Sequence, residues 1–243
     1  MHRHADASKD RGIDMQIISL IAQKGGTGKT TIALSLAVAA EEAGKSTLII
    51  DLDPQASACK WGDRRAGDAP AVMDAQPARL ANALEKAEQA GVDLAIVDTP
   101  ARIEQAAAEA ARVSDIVIIP CKPSIYDLET LQNTVELVQS RAKRPPVVVL
   151  NAVPPQGARH EQAIEAIRAM GIAVCPALIG QRVAFEYAAQ LGQSAAEFEP
   201  DGKAASELRH LYASISRILD TSTTGAIADE QKAQSGGRGR RRG

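Results

Sequence analysis

Aromatic residues are scarce in this 243-residue chain: two Phe, three Tyr and one Trp make up 2% of it. That leaves little material for a platform on which single-stranded bases could stack, so sequence-tolerant binding of that kind is excluded. Three cysteines, Cys59, Cys121 and Cys175, stand far apart with no Cys-x-x-Cys pair. Neither a zinc site nor a disulfide framework is indicated, and buried free thiols in a reducing compartment are the plain reading. No run approaches the roughly 18 apolar residues of a membrane span, and no apolar stretch follows the charged start as a secretory signal would require. A cytosolic protein is expected. A globally basic body is lacking too: the net charge is −2, and Arg238, Arg240, Arg241 and Arg242 crowd the last eight residues, so removing those four leaves −6. Any nucleic-acid binding must therefore use local patches.

The remainder reads as one soluble domain. Hydrophobic residues at 45% and charged residues at 24% are ordinary for a globular fold. Short apolar runs at 16–22, 47–51, 94–97, 116–119 and 147–150, with a weaker one at 172–174, alternate with amphipathic stretches. These stretches lie at 29–42, 77–90, 104–112, 125–141, 159–170, 184–191 and 203–219. Nearly continuous β-branched strands imply burial on both faces, hence an α/β, doubly wound, mostly parallel sheet with helices on both sides. The domain is expected over 15–219. Residues 1–14 and 220–243, polar and ending in Arg-Gly-Arg-Arg-Arg-Gly, are expected to be disordered tails.

The strongest motif is Lys24-Gly25-Gly26-Thr27-Gly28-Lys29-Thr30-Thr31, between the first strand and the first long helix. Glycines let successive N–H groups converge, and a helix N-terminus adds its dipole, which together cradle a phosphate. Lys29 supplies a point charge to the β and γ oxygens, and the Thr30 hydroxyl suits Mg²⁺. A general phosphate loop begins with glycine where this chain has Gln23, and a second lysine, Lys24, precedes the glycines. That pattern resembles the deviant Walker A family, which includes ParA, MinD, the nitrogenase iron protein and the arsenite pump ATPase. The resemblance implies a P-loop ATPase using ATP/ADP and Mg²⁺, with Lys24 reaching across a dimer to the partner's nucleotide as an arginine finger does elsewhere.

Two further apolar runs end in acids, Asp51 and Asp53 in the first case and Asp98 in the second. Ligands of open α/β sheets lie beyond the carboxyl ends of the strands, where these groups and the phosphate loop meet. Asp98 is similar to a Walker B aspartate holding Mg²⁺ through water, with a helix cap before Thr99-Pro100 as the alternative. Asp53, in Asp53-Pro54-Gln55, resembles the switch aspartate of ParA proteins, which orients the attacking water and contacts the metal shell. Asp51 is read as structural. Asn151 ends the run 147–150, where the family places an asparagine against the adenine edge; a turn-forming Asn before Pro154-Pro155 is the competing reading.

Within that family the cysteines do not suit an iron–sulfur protein. The apolar stripe of the last helix, Leu208, Leu211, Tyr212, Ile215, Ile218 and Leu219, is expected to dock on the sheet, with no membrane anchor beyond it. The late segment from Gly180 to Ala205 resembles small ParA proteins. The resemblance implies a homodimer formed with ATP, a surface for non-specific DNA to which Arg182 and Lys203, and more weakly Arg209 and Arg217, contribute, and a ParB-like adaptor that stimulates slow hydrolysis. It further implies association with the nucleoid in DNA partition. The alternatives are a MinD-like or cargo-positioning ATPase and a same-fold biosynthetic enzyme.

Overall fold

The computed structural model describes residues 15–220. Seven strands form one sheet: β1 (Gln16–Leu20), β2 (Thr47–Asp51), β3 (Ala71–Asp74), β4 (Leu94–Asp98), β5 (Ile116–Cys121), β6 (Val147–Leu150) and β7 (Ala173–Val174), in the spatial order β3-β2-β4-β1-β5-β6-β7. Every pairing is parallel, so the expected mostly parallel sheet is fully parallel. Register is tight at the centre, where Leu20 lies beside Asp98 and Asp51 lies beside Asp98 from the other side. The tips of β1, β2 and β4 thus end at one level.

Nine α-helices cover the sheet among the described residues: α1 (Lys29–Glu42), α2 (Ser57–Arg64), α3 (Leu80–Gln89), α4 (Glu104–Val113), α5 (Ile125–Gln139), α6 (Arg159–Ala169), α7 (Ala184–Gln190), α8 (Ala195–Phe198) and α9 (Lys203–Asp220). Because side chains alternate along a strand, Ile49, Ile96 and Ile118 point to one face and Ile50, Val97 and Ile119 to the other. The first face packs against α1, α2 and α7 to α9, the second against α3 to α6. Helix α1 is buried almost all round, from Ile32 to Ala40, because it is enclosed between the sheet and α9. The stripe of α9 docks as expected: Leu208, Leu211, Ile215 and Ile218 are buried, with Tyr212 and Leu219 packed at the margin. No helix among the described residues is long and apolar enough to cross a membrane.

Three elements escape the periodicity of the sequence. β3 is an exposed four-residue edge strand, and α8 is a single turn. α2 buries only Ala58 and Trp61 of its eight residues and carries Gly62 in its middle. Its anchorage is lateral. The Trp61 indole donates to the Gln193 carbonyl at 3.1 Å, and Arg65 forks onto Glu197 at 2.6 and 3.1 Å while stacking over Trp61 at 4.9 Å. Burial alone would raise the Glu197 carboxyl, but the Arg65 and Ser194 hydrogen bonds outweigh it and hold it below the usual range. Gly192, at φ +66°, lies against the Arg64–Arg65 backbone so closely that a Cβ would sit 2.5 Å from the Arg65 nitrogen.

Candidate functional site

The segment from Gln23 to Gly28 leaves β1 and enters α1 through Gly28, which is left-handed at φ 94°. No side chain caps α1, although its first residue, Lys29, is only 8% exposed. A buried helix start whose N–H groups lack a capping side chain offers its donors and its dipole to an anion. Lys29 Nζ bends back to the Lys24 carbonyl at 3.5 Å. Burial pulls the Lys29 ammonium below its ordinary pKa, against the opposing pull of the Asp98 and Asp53 carboxylates. Its charge is therefore poorly solvated.

Asp98 closes β4 and is 1% exposed. Its Oδ2 accepts from the Thr30 hydroxyl at 2.6 Å, while Oδ1 is buried with no hydrogen-bond partner. Burial pushes its pKa up to about 7, with neighbouring Asp51 and Asp53 adding to the rise and Thr30 and Lys29 opposing it. The helix-cap alternative is not what the side chain does here: its contact is to Thr30. The Thr27 hydroxyl is likewise buried without a partner. Two orphaned oxygens around an uncapped helix start fit a site completed by a phosphate and a hydrated Mg²⁺, since unpaired buried polar groups are otherwise costly. Among the described residues no cluster of three or more His, Cys, Asp or Glu could hold a metal by itself. Mg²⁺ does not require one, being bound by one or two carboxylates together with substrate phosphates.

Asp51 is structural. Its Oδ1 accepts from the Asp53 N–H at 2.9 Å and its Oδ2 from the Ala58 and Cys59 N–H groups at 2.9 and 3.3 Å, so it caps α2 from outside the helix. Asp53 is half-buried in the loop between β2 and α2, and its Oδ1 accepts from the Gln55 N–H at 2.9 Å. It lies near enough to perturb both Lys29 and Asp98.

Asn151 does something neither sequence reading named: its Nδ2 donates to the Thr27 carbonyl at 2.7 Å. It latches the tip of β6 to the phosphate loop. Asp127 is also new to the site. It sits in the first turn of α5, 3% exposed, and pairs with Lys24 at 2.6 Å. The local part of this arrangement is visible as Ser124-Ile125-Tyr126-Asp127, a helix-start pattern, but the partner lies 103 residues away. The proposed DNA residues fall outside this cluster. Lys203 is exposed at the start of α9, and Arg209 and Arg217 are exposed along it. Arg182 forms a forked ion pair with Glu207, which raises its already high pKa.

A parallel doubly wound sheet with a glycine-rich phosphate loop and a strand-end aspartate at the switch of strand order defines a P-loop nucleotide-binding protein. The family model of the CobQ/CobB/MinD/ParA nucleotide-binding domain matches residues 18–195, and the chain belongs to that family. It is 33% identical over 210 residues to the maintenance of carboxysome distribution protein A of Gloeobacter kilaueensis, covering 84% of this chain and 94% of the relative. It is 31% identical over 169 residues to the sporulation initiation inhibitor protein Soj of Bacillus subtilis, covering 51% and 66%. Among solved structures, Cyanothece apo McdA shares the fold with a TM-score of 0.68 at 19% identity, over 84% of this chain and 99% of that one. MinD of Pyrococcus furiosus gives 0.63 at 22% identity, over 84% and 99%.

Proposed function

We propose that the protein is an ATP-hydrolysing positioning switch: two protomers close on two MgATP, the dimer grips DNA without reading sequence, and a partner protein stimulates hydrolysis to release it. The observation that carries the nucleotide part is the buried, uncapped start of α1 beside Lys29, with the Thr30–Asp98 contact at 2.6 Å and the orphaned Asp98 Oδ1. Gly25 to Thr31 would hold the phosphates, and Thr30 and Asp98 would hold Mg²⁺. The metal supplies charge neutralisation of the transferring phosphoryl group. Asp53, on the loop facing Lys29 and Asp98, orients the attacking water. Asn151, whose Nδ2 is engaged by the loop, turns its Oδ1 to the adenine amine. Lys24 acts across the dimer.

DNA binding follows the salt-sensitive mode of phosphate neutralisation, through Lys203, Arg209 and Arg217. Arg182 joins them only if phosphate replaces Glu207. The experiment is binding of the full chain to non-specific duplex DNA with no nucleotide, ADP or a slowly hydrolysed ATP analogue with Mg²⁺, at two salt concentrations. Binding that needs the analogue and weakens steeply with salt supports the switch. Binding indifferent to nucleotide, or none at all, overturns its DNA half.

A second reading of the cargo has its own support. The Gloeobacter relative, matched over 94% of its length, is named for carboxysome distribution, which favours a protein body as cargo over a replicon. On either reading the protein works at the nucleoid with an adaptor. Co-purification of a DNA-bound centromere complex, as opposed to a protein assembly, separates the two.

A further inference from the structure

The ion pair between Lys24 and Asp127 is unequal. The Asp127 side chain is 3% exposed, whereas Lys24 is 36% exposed. Asp127 Oδ2 accepts from the ammonium at 2.6 Å and from the Ser124 hydroxyl at 2.5 Å, while its Oδ1 is buried without a partner. The Asp127 N–H is in turn capped by Ser124 Oγ at 3.3 Å, which fixes the carboxylate in the first turn of α5. The exposed Tyr126 ring lies 5.9 Å from the ammonium and adds a second attraction on the same side. The backbone of Lys24 is engaged separately, by Lys29 at its carbonyl. The side chain alone is free to change partner, and it is the half of the pair that an outside anion can reach. A buried carboxylate left without its cation is costly, so exchange is opposed until a stronger anion arrives.

We propose that Asp127 is a positioning residue that holds the Lys24 ammonium within its own protomer, so that Lys24 is surrendered only to the phosphates of an opposing protomer's nucleotide. This rests on the reading of Lys24 as acting across the dimer. The pair then taxes dimerisation: the competent arrangement of Lys24 is a fraction of the population, and apparent affinity falls by that fraction. Its effect is to suppress closure and hydrolysis in the absence of a stimulating partner.

The test uses the full chain and reads dimerisation by sedimentation against ATP-analogue concentration, together with basal ATP hydrolysis. Asp127→Asn is expected to lower the half-maximal nucleotide concentration for dimerisation about fivefold, as loss of a partly exposed ion pair allows, and to raise basal turnover. Lys24→Ala is expected not to dimerise, and Lys24→Ala/Asp127→Asn to match it. A purely structural Asp127 would lower the melting temperature of the single variant without promoting dimerisation. Unchanged or weaker dimerisation of Asp127→Asn, with Lys24→Ala inactive, overturns the proposal while leaving Lys24 in its role. Normal dimerisation of Lys24→Ala overturns the cross-dimer reading and the proposal with it. If Asp127→Asn does not fold, Asp127→Ser is measured against the same criteria.

Discussion

The Asn151 side chain reaches the carbonyl of Thr27 at 2.7 Å and passes so close to Gly28 that a Cβ there would lie 2.0 Å from its amide nitrogen. Replacing the amide by a methyl removes a buried donor from a carbonyl that has no other role in the helix. Asn151→Ala is expected to weaken ATP binding about fivefold, because one lost hydrogen bond to a rigid loop is worth about 1 kcal/mol. Gly28→Ala is expected to do worse, since it adds left-handed strain to the clash. Titration calorimetry with a non-hydrolysed analogue decides both.

Lys29 is a buried cation whose charge the fold tolerates poorly. Lys29→Ala is accordingly expected to abolish nucleotide binding while leaving the melting temperature without nucleotide unchanged or slightly higher. Retained tight MgATP binding would contradict the phosphate-loop assignment.

Asp98 gives a pH signature. Its pKa rises on folding from 3.8 to about 7, so the folded state holds a proton that the unfolded state has lost. The contribution of this group is fully present below about pH 4 and disappears as pH climbs through about 7. Compared with Asp98→Asn, the wild type without nucleotide should therefore lose stability between about pH 4 and 7 and then run parallel to the variant. A difference independent of pH in denaturant melts would contradict the assignment of a raised pKa to this residue.

Asp51 satisfies three backbone N–H groups at the turn into α2. Asp51→Ala is expected to destabilise the fold by about 2 kcal/mol, the order expected when buried donors lose their acceptor. The loss should appear in denaturant midpoints and in faster amide exchange at Ala58 and Cys59.

How far the sequence could be read is best seen by comparing neighbours along the chain. The span of α1 and the five strong strands follow from buried, nearly unbroken apolar runs, whose pattern is set by solvent exclusion and survives without knowledge of partners. β3 and α2 do not, because each owes its place to contacts from elsewhere: β3 pairs along β2, and α2 is held by Gln193 and Glu197. The same division runs through the site. Gly25 to Thr31 announce themselves because a phosphate cradle is local in sequence, and Asp98 because it ends a strand. Asp127 and the latch of Asn151 were hidden, since each bond joins residues more than 100 positions apart. The four candidate DNA residues were equally visible as cations, but only the structure shows that Arg182 already has a carboxylate in its fork.

The strand order has a temporal consequence. β1 lies between β4 and β5, and its nearest partner register joins Gln16 to Leu94, so the first strand made has no hydrogen-bonded neighbour until β4 has been synthesised. β2 can pair with β3 sooner, but its other edge waits for the same strand. During translation the apolar run of β1 must therefore remain unpaired through roughly seventy residues of further growth, and contacts of such long range form slowly. The nascent chain is then most vulnerable to aggregation before β4 emerges, and the phosphate loop acquires its shape only once that strand has arrived beside it.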